Sequence, residues 1–179
     1  LEPLSQIILL QREQNPDSIA QRFVKGDVKD ATMAIKGAQD IIAENISEDE
    51  KSRHQIRMTF KREAVITSKV VKAKADSEEA AKYSDYFDFS EPLKRCSSHR
   101  LLAMRRGEAE GILRVSISPD DEECIDTLKK NFVYGNGPCC KLVGAAAEDS
   151  YKRLIKPSIE TEFAALSKEK ADEEAINIF

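Results

Sequence analysis

The segment KRCSSHRLLAMRR, residues 94–106, brings together the side chains of this sequence that are best suited to chemistry. It contains five Arg or Lys residues and no acidic residue, with Cys96 and His99 among them. Clustered cations bind the phosphates of a nucleic acid when their side chains point in one direction. A thiol three residues from an imidazole could instead form a nucleophile–base pair. The segment is therefore either a phosphate-binding surface, a catalytic site, or a structural joint between two elements.

A helical wheel that starts at residue 98 separates the cations of this segment. Arg106 shares one side with His99, and Arg100 lies roughly opposite. Arg105 falls in the apolar sector of the wheel. Because acidic residues flank the segment, ion pairs within the chain are favoured over one phosphate-binding face, although Arg100 and Arg106 are expected to face outward. The residues kept as candidates for a nucleic-acid contact are Lys94, Arg95, Arg100 and Arg106.

Catalysis and metal binding are disfavoured by the same sequence. His99 is typical of the first turn of a helix, and no nucleophile-elbow or oxyanion-hole motif lies near Cys96. Cys139 and Cys140 are adjacent, which is poor spacing for a second pair of zinc ligands. The sequence therefore predicts neither a catalytic, cofactor nor metal site, and no enzymatic activity. The enzymatic alternative survives only if Cys96 and His99 are in contact.

Aromatic residues next to the basic segment could stack on bases. Tyr83, Tyr86 and Phe87 are spaced by three and four residues, with Phe89 close behind. Base stacking near cations is typical of single-strand binding surfaces. The spacing nevertheless places the first three on one side of a helix, and packing against other elements is the commoner role of such a stripe.

Helix signals surround these candidate residues. Ser47 with Glu50 forms a capping box and predicts a helix over 48–62. Asp76 with Glu79 predicts another helix that runs to about Phe87. A third, short helix is capped by Ser97 or Ser98 and ends at Gly107, and an acidic first turn opens one that runs to about Val133. Two long helices, over 139–155 and 157–179, are separated by Pro157.

Strand signals are few. Residues 111–118 alternate between polar and apolar side chains, and the β-branched run near 64–72 is either a short strand or an extended connector. The fold class predicted is mainly α: a multihelical array of about eight to ten helices. It has at most a small two-stranded β element near 64–72 and 111–118.

The composition excludes several classes of protein. The 179 residues carry a net charge of −4, so the chain as a whole is not a basic nucleic-acid-binding domain. No apolar run is long enough to cross a membrane, and four cysteines do not form a disulfide framework, which favours the cytoplasm. The chain begins without Met and ends inside a helical pattern. We therefore expect it to be a piece of a longer polypeptide.

Several separate motifs identify a family resemblance. They are KYSDYFDFSEPL, SSHRLLAMRRGEAEGIL, AAAEDSYKRLIKPSIETE and EEAINIF. LEPLSQIIL and AIKGAQDIIAENIS, nearer the start of the chain, also fit. All of these motifs are collinear, and together they extend over nearly the whole chain. Together they resemble the helical region of the Tex family, the bacterial transcription accessory proteins. The turn YGNGPCCKLVG at 134–144, with its paired cysteines, departs from that resemblance.

The resemblance implies a fragment of a large cytoplasmic protein. In Tex-like proteins a helical scaffold is followed by an RNase-H-like domain, helix-hairpin-helix elements and a C-terminal OB-fold RNA-binding domain. None of these later domains is expected in residues 1–179, so none of their functional residues can be transferred to this chain. The scaffold fragment has a possible sub-division into 1–63, 64–133 and 134–179, and residues such as Ser98 and Gly107 belong to its structure.

Two functional hypotheses follow from the residues and the resemblance. The first is a non-catalytic scaffold segment of an RNA- or single-stranded-DNA-binding transcription accessory protein, whose nucleic-acid contacts are made mainly by the missing domains. The second is a protein-interaction module that docks transcription or translation partners. Neither hypothesis includes a membrane, a small-molecule substrate or a cofactor. The direction of the basic side chains distinguishes them, because one exposed cationic face would support nucleic-acid binding.

Overall fold

The computed structural model describes residues 1–178, and the side chains of residues 1–176. The α-helices are α1 (Glu2–Leu10), α2 (Pro16–Ala20), α3 (Ala31–Ser47), α4 (Glu50–Glu63), α5 (Glu78–Ala81), α6 (Ser98–Ala109), α7 (Asp121–Phe132), α8 (Pro138–Ser150) and α9 (Lys156–Ile178). The strands are β1 (Val65–Val70), β2 (Asp88–Pro92) and β3 (Leu113–Ser118). The predicted mainly α class is confirmed, but the sheet has three strands where at most two were expected.

The chain divides into two compact units that are not continuous in sequence. The first comprises Leu1–Ile56 with Asp121–Pro157, and the second comprises Arg57–Asp120 with the chain from Ser158 onward. Among the described helices, none combines the length and the apolar composition that a membrane crossing requires.

The first unit is a helical cluster built around α3, which packs against α1, α2 and α8. Small residues of α3 make this packing close, because Ala34, Ala38 and Ala43 are fully buried. The Ser150 hydroxyl of α8 reaches the α3 backbone and donates a 2.6 Å hydrogen bond to the Ala43 carbonyl. Large apolar side chains complete the core: Leu4, Ile8, Ile42, Ile46, Ile125, Leu128, Val143, Tyr151 and Ile155.

The second unit contains an antiparallel sheet in the order β2-β1-β3, with α6 packed against β3. The central strand β1 places Lys69 opposite Asp88 of β2 and Arg114 of β3. Successive residues of a strand point to opposite faces. Ile66, which is fully buried, therefore belongs to the inner face, and Lys69 belongs to the outer face.

The strand β2 was missed because its sequence, DFSEP, is short, polar and ends in proline. The prediction placed a helix from residue 76 to about Phe87, but α5 ends at Ala81 and a 3₁₀ turn, Ser84–Tyr86, leads into the strand. Because β2 pairs with β1 alone, it is an edge strand, where proline is tolerated.

Two predicted helix caps were displaced by one or two residues. Asp49, rather than Ser47, accepts from the Ser52 backbone N–H at 3.1 Å and caps α4, since α3 extends through Ser47. Ser77, rather than Asp76, caps α5 by accepting from the Ala80 N–H at 3.1 Å. In both cases the residue just before the helix caps it with a side-chain oxygen, as the predicted residue was expected to do.

Gly107 does not end α6, contrary to the prediction. The helix continues to Ala109, and Gly107 is buried within it. A Cβ atom at this position would lie 2.5 Å from Cδ1 of Leu113 and 3.2 Å from Cδ1 of Tyr83. Gly107 is therefore a point of close approach between α6 and β3. The positive φ of 76°, which suits glycine after a helix, occurs at Gly111 instead.

The two long C-terminal helices are joined through a π-helical turn at Tyr151–Ile155. Pro157 was predicted to separate them, and it lies in the first turn of α9. Proline within a helix removes one N–H donor and crowds the carbonyl four residues earlier. A widened π turn just before the proline relieves that crowding. The predicted end of this helix at residue 179 lies outside the described residues.

Candidate nucleic-acid interface

The basic segment 94–106 lies on two successive elements. Lys94 and Arg95 belong to a 3₁₀ turn, Leu93–Arg95, that directly follows β2. The other three cations lie on α6, which Ser97 caps by accepting from the Arg100 N–H at 3.3 Å. The predicted cap is thereby confirmed. The segment joins the edge of the sheet to the helix that packs against it.

Arg100 forms a two-pronged ion pair with Glu91 of β2. Its Nε lies 2.8 Å from Oε1 and its Nη2 lies 3.1 Å from Oε2. The same Nη2 donates to the Arg95 carbonyl at 3.4 Å. The hydrogen bond from Arg100 holds the pKa of Glu91 below its usual range. Although 40% of the Arg100 side chain is exposed, its hydrogen-bonding edge is engaged within the chain.

Arg105 lies in the apolar sector of α6, as the helical wheel predicts. Only 13% of its side chain is exposed, between the buried Leu101 and Met104. Its Nη1 donates to Glu108 at 2.8 Å, and its buried Nε has no hydrogen-bond partner among the described residues. Arg105 is therefore a packing residue whose long aliphatic stem covers the core.

Lys94, Arg95 and Arg106 are exposed, and within the described part of the chain none of them forms an ion pair. Lys94 lines a groove that does not include Arg95, Arg100 or Arg106. Arg106 lies near Tyr83 and its positive charge favours a lower pKa for the Tyr83 hydroxyl. Burial and Glu110 have larger effects, so the pKa of Tyr83 is raised overall. The structure thus does not gather the four candidate residues into one cavity. Their contact with nucleic acid stays a prediction.

Cys96 is poorly suited to act as a nucleophile. Burial, reinforced by a hydrogen bond with Glu91, raises the pKa of its thiol to about 12. Its Sγ lies 3.6 Å from the Ser97 carbonyl, and over residues 1–176 no hydrogen bond connects it to the exposed His99. A thiol with so high a pKa is almost entirely protonated at neutral pH and therefore unreactive.

The other cysteines are free thiols in the interior of the first unit. Cys124, Cys139 and Cys140 are all buried. The Cys139 Sγ lies 3.4 Å from the Glu13 carbonyl, and burial raises the pKa of this thiol. In the described side chains, no group of three or more Cys, His, Asp or Glu is arranged to hold a metal ion.

The aromatic side chains pack within the second unit. Tyr83 is buried, and its hydroxyl donates to Glu110 at 2.8 Å. The rings of Tyr86 and Phe89 meet edge to face with centroids 5.5 Å apart. Packing was the role that the sequence favoured. The single helix predicted for Tyr83, Tyr86 and Phe87 is wrong, because Tyr86 lies in the 3₁₀ turn Ser84–Tyr86 and the other two flank that turn.

A groove in the second unit was not anticipated from the sequence. It has a volume of about 310 Å³, and its lining includes the exposed Lys61, Lys94 and Lys170. Its apolar lining includes Phe163 and Leu166, and 55% of the latter is exposed. Among the described side chains, Glu174 is the one acidic residue in the lining, and its carboxylate accepts a hydrogen bond from Ser98. We call this surface the lysine groove.

Comparison with known proteins identifies the family. The family described as Tex central region-like matches residues 11–179, which is nearly the whole chain. The chain belongs to the Tex family. Among individual relatives, uncharacterized protein YdcI of Bacillus subtilis is 40% identical over 184 residues. The transcriptional accessory protein Tex of Neisseria gonorrhoeae is 32% identical over 187 residues.

These alignments cover the whole of this Tex-family chain. They cover only 25% of YdcI and 24% of the Neisseria protein. The chain therefore spans about a quarter of the length of these relatives. The human S1 RNA-binding domain-containing protein 1 is more distant. It is 28% identical over 154 residues, which cover 80% of this chain and 16% of that protein.

Proposed function

We propose that this chain is a non-catalytic helical scaffold segment of a Tex-family transcription accessory protein that binds RNA or single-stranded DNA. The proposal includes a cytoplasmic location and assigns most nucleic-acid contacts to parts of the protein outside this chain. It also makes the transcription machinery a partner of the whole protein. The similarity to proteins named for transcription accessory activity and for an S1 RNA-binding domain supports the nucleic-acid part.

The observation that carries the proposal is that two arginines of the basic segment form ion pairs with glutamates of the same chain. Arg100 is held by Glu91 across two hydrogen bonds, and Arg105 is held by Glu108. A phosphate would have to compete with a carboxylate that already occupies the guanidinium edge of Arg100. The segment therefore contributes more to joining β2 and α6 than to binding a ligand.

The test is a fluorescence-anisotropy titration of the chain with a short single-stranded RNA at low and near-physiological salt. We expect the double variant Arg100→Glu/Arg106→Glu to bind as the control Arg22→Glu/Lys25→Glu does, because both change the net charge equally and the control positions are exposed. A longer Tex-family protein that contains the later domains should bind more tightly and with steep salt dependence. Loss of binding specific to Arg100→Glu/Arg106→Glu, in a variant that thermal unfolding shows to be folded, would show instead that the segment is a phosphate site.

A second candidate function is the docking of a protein partner in the lysine groove. Three lysines line the groove together with apolar side chains. Among the described residues the one lining carboxylate, that of Glu174, is engaged by Ser98. This pattern complements an acidic amphipathic helix, whose apolar side chains would cover Leu166 and Phe163 while its carboxylates met the lysines.

A synthetic helical peptide with Leu and Glu in a heptad pattern is a suitable probe for this docking function. Lys61→Glu/Lys94→Glu should weaken its binding roughly tenfold at low salt. The matched control Lys25→Glu/Lys51→Glu reverses two exposed lysines that do not line the groove and should have little effect. Equal weakening by both variants would mean that the peptide senses only net charge.

A further inference from the structure

The outer face of the three-stranded sheet is a polar and cationic surface. Because side chains alternate along a strand, the register places Asp88, Lys69 and Arg114 in one row across the three strands. The neighbouring row is Ser90, Thr67 and Ser116. All of these residues are exposed except Thr67, which is half-buried. One row of charges therefore lies beside one row of hydroxyls.

The charged row contains an unbalanced cation. Lys69 pairs with Asp88 across the β1–β2 ladder, and both side chains remain largely exposed. Arg114 lies opposite Lys69 on the other side, and among residues with described side chains it has no ion-pair or hydrogen-bond partner. Like charges directly opposite each other in a sheet are destabilising. An anion bound between them would relieve that repulsion.

The hydroxyl row can complete an anion site. Thr67 and Ser116 share one hydrogen bond, so each hydroxyl retains further hydrogen-bonding capacity. They lie two residues along their strands from Lys69 and Arg114. Hydroxyls and cations side by side are the groups that contact phosphate and sugar oxygens in protein–nucleic-acid complexes.

The same surface forms an open cleft of about 830 Å³. Lys72, exposed just beyond β1, adds a third cation to its lining, and the half-buried Phe87 adds an aromatic ring. A groove of cations with an aromatic side chain beside it is the arrangement that binds single-stranded nucleic acid without sequence preference. The net charge of −4 on the whole chain does not exclude nucleic-acid binding here, because the three cations lie together in one cleft.

We propose that the outer face of this sheet binds the sugar–phosphate backbone of a single-stranded nucleic acid through Lys72, Arg114 and the Thr67–Ser116 hydroxyls. The inference rests on the nucleic-acid partner in the proposed function, and it locates a contact within this chain. It differs from the sequence expectation, which placed any such contact at residues 94–106.

The test compares Lys72→Glu/Arg114→Glu with Arg22→Glu/Lys25→Glu in a titration with a fluorescein-labelled single-stranded RNA of about 12 nucleotides. Each variant exchanges one exposed lysine and one exposed arginine, so the change in net charge is matched. We expect the sheet variant to bind at least about tenfold more weakly at low salt. Its log–log salt slope should be lower by about 1.4, because each phosphate that the protein no longer neutralises reduces the slope by about 0.7. The control should keep the wild-type slope, and thermal unfolding of each variant verifies that folded proteins are compared.

The outcomes separate this inference from the proposed function. Loss of binding in Arg100→Glu/Arg106→Glu but not in the sheet variant would overturn the inference and leave RNA binding intact. Failure of the folded wild-type chain to bind RNA at low salt would overturn the inference, while the scaffold role would stand. Equal weakening by the sheet variant and its control would also overturn it. So would binding of a phosphoserine peptide, and not of RNA, through Lys72 and Arg114.

Discussion

Arg100 of α6 and Glu91 of β2 face each other across two hydrogen bonds of 2.8 and 3.1 Å. Glu91 lies opposite the buried Ile66 in the sheet, so its carboxylate is on the inner face and 20% of its side chain is exposed. The pair therefore connects the edge strand β2 to α6, the helix that packs against β3. Glu91 also lies beside Cys96 and contributes to the raised pKa of that thiol.

Glu91→Gln should make the Cys96 thiol more acidic. Burial is the main cause of the thiol pKa of about 12, but Glu91 adds both a hydrogen bond and a negative charge. Removing that charge should lower the pKa while leaving it above the ordinary cysteine value, because the burial remains. The pH dependence of Cys96 alkylation by iodoacetamide measures this, with Glu78→Gln as a control at an exposed position. An unchanged alkylation profile would contradict the assigned cause.

The Glu91–Arg100 pair should also contribute to acid sensitivity. Arg100 lowers the pKa of Glu91 below the reference value of 4.5. Its contribution to stability is therefore fully present above about 4.5 and is lost as the pH falls through the lowered pKa. The loss of unfolding free energy between pH 7 and acid should be smaller in Glu91→Gln than in the wild type. Urea unfolding at several pH values measures this loss. If the unfolding free energies of the two proteins fell equally with pH, the prediction would be wrong.

Gly107→Ala should destabilise the chain by about 1–3 kcal/mol, because overpacking costs more than the gain in helix propensity. The added Cβ would meet Leu113, which is buried on β3. Gly37→Ala is the matched control within a different helix. There the added Cβ would meet only atoms of the Leu1 side chain. Because Leu1 is exposed, that side chain can rotate away from the added Cβ. We expect that control to be neutral or stabilising by up to about 1 kcal/mol, as measured by urea denaturation.

Arg105→Met should change the unfolding free energy by less than about 1 kcal/mol, or should raise it, because the Arg stem acts mainly through packing. The adjacent Met104 is fully buried, and Met104→Ala should cost about 2–5 kcal/mol through the cavity that it leaves. Chemical denaturation of the two variants distinguishes these roles. A loss in Arg105→Met as large as that in Met104→Ala would mean that the Glu108 ion pair is essential to stability.

Local signals predicted the helices and two of the strands. The predicted cap at Ser97 correctly placed the start of α6, and the alternation at 111–118 correctly indicated β3. Polar oxygen acceptors occur at several adjacent positions near 47–49 and 76–77, so the choice of cap depended on where the preceding element ended. The strand β2 could not be recognised, because its main stabilisation is pairing with β1 and its own sequence is polar.

The outer face of the sheet shows a second limit of sequence-based prediction. The alternation of Arg114 and Ser116 against apolar neighbours was visible in the sequence, as were Thr67 and Lys69 in the β-branched run. The register that places Arg114 opposite Lys69 joins residues 45 positions apart, and one sequence does not specify it. The cations of 94–106 were conspicuous because they are contiguous. Contiguity alone did not determine whether their side chains share a surface.

A double-mutant cycle on Glu91→Gln and Arg100→Gln tests most directly whether the basic segment is a structural joint. All four proteins are compared by urea unfolding and by titration with single-stranded RNA. We expect a favourable coupling free energy for the pair in unfolding, and RNA affinities that differ by less than about threefold. Independent effects on stability, together with loss of RNA binding whenever Arg100 is replaced, would contradict the account and make Arg100 a nucleic-acid contact.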